Sequence, residues 1–192
     1  MKLRNIATVQ MGYSFRSRLE TTAGGDVAVI QMKDLADDNT VDCNNLAKIE
    51  LDSLKKHHLT QHNDLIFRSR GHTLTAAILL SDPGRAVVAA PLLRIRVTKL
   101  DRILPAYLNW YLRQQDAQIY LTSRAKGTAQ KMISKQTLDG LEVALPPLPI
   151  QAQIVTLAKL ATHEQHLLHT LASKRKQYIS TLMMQLAKGF RI

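Results

Sequence analysis

The chain has 192 residues, 45% of them hydrophobic, which is enough for one ordinary domain with a real core plus an appendage and argues against general disorder. Its 26 Lys and Arg against 15 Asp and Glu give a formal net charge of +11, so polyanions are the expected partners, nucleic acid first among them. No apolar run reaches the roughly 18 residues of a spanning helix, the start Met1-Lys2-Leu3-Arg4-Asn5-Ile6 is too polar for a signal-peptide core, and Cys43 stands alone, which excludes a disulfide framework and a cysteine-based zinc site; a cytoplasmic chain without a membrane role is expected.

Residues 1–25, with Gly12, Gly24 and Gly25, read as a loop-rich entry. Val27-Ala28-Val29-Ile30 is rich in β-branched residues and predicts a strand. Asp34 to Asn45 is polar and turn-like, and Asp52 to His62 suggests a short helix. A strand is expected from Asp64 to Phe67, running into Arg68-Ser69-Arg70-Gly71, and another from Ala76 to Leu80. Asp82-Pro83-Gly84-Arg85 is a strong turn signal, because proline presets φ and glycine permits positive φ. Ala86 to Ala90 and Leu92 to Thr98 should continue the sheet. The second alternates Leu93, Ile95 and Val97 inward with Arg94 and Arg96 outward, onto a solvated face. Pro105 to Tyr120 predicts one helix with proline in its first turn and an apolar side of Tyr107, Leu108, Tyr111, Leu112 and Ile119. Arg124 to Lys135 reads as a basic, glycine-containing loop, and Leu138 to Leu145 as a last helical turn and a strand.

After Leu145-Pro146-Pro147-Leu148-Pro149 the texture changes. Neither glycine nor proline occurs from Ile150 to Lys188, which predicts a helix on the order of 55–60 Å long, stopped by Gly189. Ile154, Leu157, Leu160, Leu167, Leu171, Tyr178, Leu182 and Leu186 recur at helical spacings, a coiled-coil-like seam interrupted near Glu164 and Lys174-Arg175. An apolar stripe on a lone helix requires a partner, and a second copy of the chain is the simplest one. The fold class expected is α+β: a mixed β-sheet domain with a few helices over residues 1–148, then a long helix over 149–192 forming an antiparallel coiled-coil dimer.

The charge is uneven. Asp26 to Asp52 holds seven acids against two lysines, whereas residues 1–18 and 117–138 carry bases and no acid. DNA reading needs Lys and Arg to fix register on phosphates, and Arg, Lys, Asn, Gln, Ser and Thr to read base edges. Three loops supply both kinds: Arg16, Ser17 and Arg18; Arg68, Ser69 and Arg70; and Arg124, Lys126, Gly127, Thr128, Gln130 and Lys131. Alternation along the strand end points Arg68 and Arg70 the same way. Glycine at 127 allows close approach to a phosphate. Each loop has a plainer reading as a solvated surface with ordinary salt bridges.

No metal site is expected. His57, His58 and His62 fit a solvated helix face or phosphate contacts, and His163 and His166 stand three apart where a zincin helix needs four. No glycine-rich cofactor loop, no Asn/Asp-Pro-Pro-aromatic motif and no phosphate-cradling loop occurs, so neither methyltransferase nor ATPase chemistry is expected. Two other classes stay open at this point: a small metal-dependent DNA-processing enzyme built around Asp64 and nearby histidines, and an interaction scaffold with an incidental basic surface.

Leu145-Pro146-Pro147-Leu148-Pro149-Ile150-Gln151-Ala152-Gln153-Ile154-Val155 resembles the phrase "PLPPLxEQxxIV" of the specificity (S) subunits of type I restriction-modification systems, with Gln151 or Gln153 nearest the Glu-Gln pair. In the same family order, Gly12 to Ser17 resembles "GxxFxS", Asn63 to Gly71 resembles "GDLLxxxxG", and Gly127 to Ser134 resembles "GxxQxxIS". Family members usually carry two target-recognition domains and two such helices. One of each stands here, as in a half-length subunit or a fragment of a longer one.

The resemblance implies a non-catalytic subunit that binds double-stranded DNA. It implies a homodimer reading a bipartite target with inverted half-sites. The partners implied are adenine-N6 methyltransferase (M) subunits and, where the system has one, a restriction (R) subunit. No cofactor is implied in this chain, since S-adenosylmethionine binds the partner methyltransferase.

Overall fold

The computed structural model describes residues 1–15, 24–51, 54–71, 74–127 and 132–189. The chain divides into two compact units, Met1–Ala152 and Gln153–Ile192. Among the described residues no helix is long and apolar enough to cross a membrane.

Among the described residues the first unit has seven strands: β1 (Ala7–Met11), β2 (Val27–Ile30), β3 (Ala47–Ile49), β4 (Leu65–Phe67), β5 (Ala76–Ile78), β6 (Ala86–Val88) and β7 (Leu93–Val97). They form two sheets, a four-stranded one in the order β1-β7-β4-β5 and a three-stranded one in the order β3-β2-β6. All pairings in the larger sheet are antiparallel. In the smaller, β2 runs antiparallel to β3 and parallel to β6. Ile30 and Val88 of one sheet pack with Ile66 and Ala77 of the other, joined by Leu35, Leu79 and Leu92, so a core lies between the sheets. Val27, Val29, Ile49, Val87 and Ala89 form a second core on the far face of the smaller sheet, with Tyr13 and Phe15 against it. Every residue of β2 and β6 is buried, which is why both read as continuous apolar runs.

The mixed α+β class is therefore present, and the strands expected near residues 27–30, 64–67, 76–80, 86–90 and 92–98 all form. Several expectations need correction. The entry segment is not mere loop: Ala7 and Val9 point inward from β1, which pairs with β7 from Ala7 opposite Val97 to Met11 opposite Leu93. β3 is a short edge strand with Ile49 as its buried residue. The strands around 86–90 and 92–98 do not share a sheet. Pro91 lacks an N–H for either ladder, and Leu92 N–H turns back to the Ala89 carbonyl at 3.0 Å.

In place of a helix over 52–62 the described part holds a single 3-10 turn, Lys56–His58. Tertiary bonds take over beyond it, with Thr60 N–H donating to Ala86 at 2.9 Å. The helix expected over 105–120 is two helices, α1 (Pro105–Tyr111) and α2 (Gln115–Arg124). Side-chain amides satisfy the carbonyls freed at the break: Gln114 donates to Trp110 at 2.8 Å and Gln118 to Leu112 at 2.6 Å. The break shifts the helical phase, so Ile119 is 59% exposed and Ala117 and Leu121 are buried instead. α3 (Lys135–Asp139) is capped by Ser134, whose hydroxyl accepts Thr137 N–H. The segment after it pairs with the N-terminus as an isolated bridge rather than a full strand, Leu3 N–H donating to Leu141 and Val143 N–H to Met1, both at 2.8 Å.

α4 spans Leu148–Ala187, opening at the proline phrase, and Gly189 follows it with φ +78°. At its base Gln151 is fully buried. Its amide nitrogen donates to the Arg102 and Pro146 carbonyls at 2.9 and 2.8 Å, and its oxygen accepts Leu104 N–H at 2.9 Å. In the second unit Leu157, Leu160, Leu167, Leu171, Tyr178 and Leu186 are exposed, Leu157 at 69%. Ile154 and Leu182 are partly buried.

Candidate nucleic-acid interface

The described ends of the three basic loops meet at one corner of the first unit, the turn Ala89–Leu92 between β6 and β7. From the first loop, Gly12 N–H donates to Leu92, Tyr13 N–H to Val88, and the Tyr13 carbonyl accepts Ala90 N–H. A side chain at position 12 has no room: a Cβ there would meet the Ala89 carbonyl carbon at 2.6 Å. From the second loop, the buried Ser69 hydroxyl donates to the Pro91 carbonyl. From the third, Ile133 N–H donates to Ser69 at 2.8 Å, and Met132 bridges to Arg70. Lys126 and Met132 exchange backbone hydrogen bonds at 3.0 and 2.8 Å, closing the third loop at its base. Gly127 begins the tip with φ +107°.

The predicted contact residues divide by placement. Arg70, Arg124, Lys126 and Gly127 are exposed. The Arg70 guanidinium lies 3.3 Å from Met132 Sδ, and that of Arg124 lies 4.0 Å above the Tyr120 ring, a cation–π contact. Arg68 is half-buried and donates to the Leu35 carbonyl at 2.5 Å, so it and Arg70 are not an equivalent pair. Ser69 faces inward and organises the corner. Arg16, Ser17, Arg18, Thr128, Gln130 and Lys131 lie outside the described residues.

Behind the corner, the outer face of β7 is not solvated as expected. Arg94 is 6% exposed and Asp64 is 1% exposed. Arg96 binds Asp64 with both arms, at 2.7 and 2.6 Å, and Asp64 also accepts Gln61 N–H. Both arginines donate to the Leu59 carbonyl, Arg94 at 2.6 Å and Arg96 at 2.9 Å. The segment around Leu59 thus covers this face, which period-two alternation in β7 had no means of revealing. Burial pushes the Arg94 pKa down, opposed by the neighbouring Asp64 carboxylate.

This network reaches the first loop through Gln10 and His58. Arginine has no acceptor, so Arg94 donates to Gln10 Oε1 at 2.6 Å, which turns Gln10 Nε2 toward His58 Nδ1 at 3.2 Å. His58 must then accept through Nδ1 and carry its proton on Nε2. Its ring meets Tyr13 edge-on at 5.3 Å between centroids. Burial, then the charges of His57, Arg94 and Lys55, hold the His58 pKa below its usual value. Sequence reading gave Gln10 no role and set Arg94 on a solvated face; alternation in 7–11, which places Gln10 opposite Ala7 and Val9, was the available signal for the first.

Asp64 is committed to Arg96 and buried, so it is not placed to serve a metal-dependent enzyme. Among the described residues no group of three or more His, Cys, Asp or Glu is arranged to hold a metal ion. The acidic segment uses Asp34 and Asp38 locally, to accept Gln31 N–H and Thr40 N–H, while Asp26 pairs with the distant Arg85.

A family model described as type I restriction modification DNA specificity domain matches residues 1–173. The StySPI type I restriction enzyme specificity subunit of Salmonella potsdam is 25% identical over 138 residues, 69% of this chain and 29% of that protein. The HsdS subunit from Thermoanaerobacter tengcongensis has a similar fold, with TM-score 0.63 and 19% identity over 85% of this chain and 37% of that one. A chain from a structure of type I R-M complex assembly and conformational transition gives TM-score 0.72 and 18% identity over 94% and 42%. The S subunit from M. genitalium gives 0.57 and 12% over 97% and 44%. The chain spans less than half the length of each of these relatives.

Proposed function

The chain belongs to the type I restriction-modification DNA specificity domain family, and from that premise we propose that it is a non-catalytic specificity chain with one target-recognition domain that reads double-stranded DNA as a homodimer. Residues 1–148 form the target-recognition domain, and residues 149–192 supply dimerisation and docking for adenine-N6 methyltransferase subunits. The observation that carries this reading is the family match, which runs through the whole domain and into α4. The exposed basic groups at the loop corner and the uncovered seam of α4 support it.

Two identical domains related by a two-fold axis read identical half-sites in inverted orientation, separated by a spacer that the paired helices set. The methyl group comes from S-adenosylmethionine on the partner methyltransferase, and a restriction subunit joins where the system encodes one. The site of action is the cytoplasm, with the DNA. The test is co-purification with a type I methyltransferase subunit, followed by selection of bound duplexes from a random library. A bipartite inverted motif that then accepts N6 methylation is the expected result. Binding without sequence preference leaves the scaffold reading in its place.

A further inference from the structure

The seam of α4 carries two charges in otherwise apolar positions, Glu164 and Arg175. Taken as a heptad, its two core rows are Leu157, Glu164, Leu171, Tyr178 and, at the end, Gln185, and Ile154, Ala161, Leu168, Arg175 and Leu182. Glu164 is the sole acidic residue from Leu148 to Gly189, so its place in the seam is not a by-product of a charged surface. Its neighbours one turn away are Leu160, Ala161, Leu167 and Leu168, none a cation. Those of Arg175 are Leu171, Ala172, Tyr178 and Ile179, none an anion. Within one chain the two are too far apart along the helix to meet, and among the described residues neither enters a salt bridge.

We propose that α4 pairs with a second copy of itself, antiparallel, in the one register that sets Glu164 against Arg175 of the partner subunit, twice by symmetry. The proposal rests on the homodimer reading above and specifies its geometry. In an antiparallel pair, a residue of one core row lies beside a residue of the other row on the facing helix. Setting Glu164 beside the partner's Arg175 fixes every remaining layer. Leu171 meets the partner's Leu168 next to the two-fold axis, Leu157 meets the partner's Leu182, and Tyr178 meets the partner's Ala161. Ile154 meets the partner's Gln185 at the ends, so the seam overlaps along its whole length.

The alternatives leave charge unpaired. A slip of one heptad sets Glu164 against a leucine of the partner, at 168 or 182, and Arg175 against another. A parallel, in-register pair sets glutamate beside glutamate and arginine beside arginine. A desolvated charge without its partner is strongly unfavourable, whereas pairing offsets much of that cost and selects one register. Full overlap and charge pairing are separate requirements, and one register meets both.

The experiment uses the full chain. Sedimentation of the wild type, Glu164→Arg, Arg175→Glu and the double swap gives dimer dissociation constants. Each single change breaks both symmetry-related pairs and should weaken the dimer about a hundredfold or more, and the double swap should return it to within about fivefold. In a Cys43→Ser background, chains bearing Leu157→Cys should form disulfides with chains bearing Leu182→Cys and not with each other. A wild type that dimerises while the single changes leave it unaffected, or Leu157→Cys chains that link to themselves, overturns the register and leaves the homodimer standing. A wild type that is monomeric at tens of micromolar overturns both.

Discussion

The side-chain oxygen of Gln151 accepts the backbone N–H of Leu104 at 2.9 Å, while its nitrogen bridges the Arg102 and Pro146 carbonyls. One amide in the first turn of α4 thus satisfies backbone groups of the turn that leads into α1 and of the proline phrase. The relationship separates two glutamines that the sequence leaves equivalent, since Gln151 is buried and Gln153 exposed.

Gln151→Ala removes three hydrogen bonds and strands part-buried backbone groups, each worth up to about 1–3 kcal/mol when left unmet. The net loss expected is about 3 kcal/mol in denaturant unfolding, against less than about 0.5 kcal/mol for Gln153→Ala. Equal effects at the two positions would show that Gln151 is not the anchor.

Arg96→Met should be among the most damaging changes in the domain. It leaves the Asp64 carboxylate, 1% exposed, with Gln61 N–H and a distant Arg94 Nε at 3.8 Å. Breaking a buried pair from one side costs about 3–5 kcal/mol. The paired change Arg96→Met with Asp64→Leu should recover much of that loss, and a double-mutant cycle measures how much.

His58 gives the domain a pH dependence of definite sign. Its folded pKa lies below the ordinary 6.5, because burial and then His57, Arg94 and Lys55 disfavour its charged form. The unfolded chain therefore takes up the proton first. The stability is fully present above 6.5 and declines as pH falls from there toward the folded value. Protonation also abolishes the Nδ1 acceptor that Gln10 uses. Melting temperatures at about pH 7.5 and about pH 5.5 should differ less in His58→Asn than in the wild type. An unchanged difference would place the titration elsewhere.

The legible parts of this fold are those whose signal is local. β2 and β6 announce themselves as β-branched runs because both of their faces are buried, and α4 because neither glycine nor proline occurs from Ile150 to its end. β1 was missed because its two inward residues, Ala7 and Val9, gain meaning only when β7 lies alongside. Alternation correctly turned Arg94 and Arg96 away from Leu93 and Ile95. It said nothing of the Leu59 segment that covers them, a contact more than thirty residues distant. The loops that make the candidate interface were legible as basic. Their meeting around Ala90-Pro91 was not, since it depends on backbone bonds from Gly12 and Tyr13, a side-chain bond from Ser69, and the Ile133 bond that ties the third loop to Ser69.

Gly12→Ala tests that meeting point. The added methyl would lie 2.6–2.8 Å from backbone atoms of Ala89 and Ala90, which cannot move without displacing the turn. The expected cost is about 2–3 kcal/mol, in the range of overpacked sites. Amide exchange should speed up at Tyr13 and Ala90 before the rest of the domain. Wild-type stability in this variant would mean that the corner yields freely.

Arg70 and Arg68 allow the interface to be tested apart from the fold. Arg70 is exposed and spends its guanidinium on a sulfur contact, whereas Arg68 holds the Leu35 carbonyl inside the domain. If Arg70 and Lys126 neutralise phosphates, replacing either with Ala removes one released counterion from binding. The slope of log affinity against log salt should then flatten by about 0.9 for each, with little change in melting temperature. Arg68→Ala should do the reverse, lowering the melting temperature while leaving the salt slope nearly intact. Fluorescence anisotropy on the selected duplex across a salt series reads the slope directly. An Arg70→Ala protein with the wild-type slope would remove this corner from the DNA surface, because an exposed arginine that contacts phosphate cannot be lost without its counterion term.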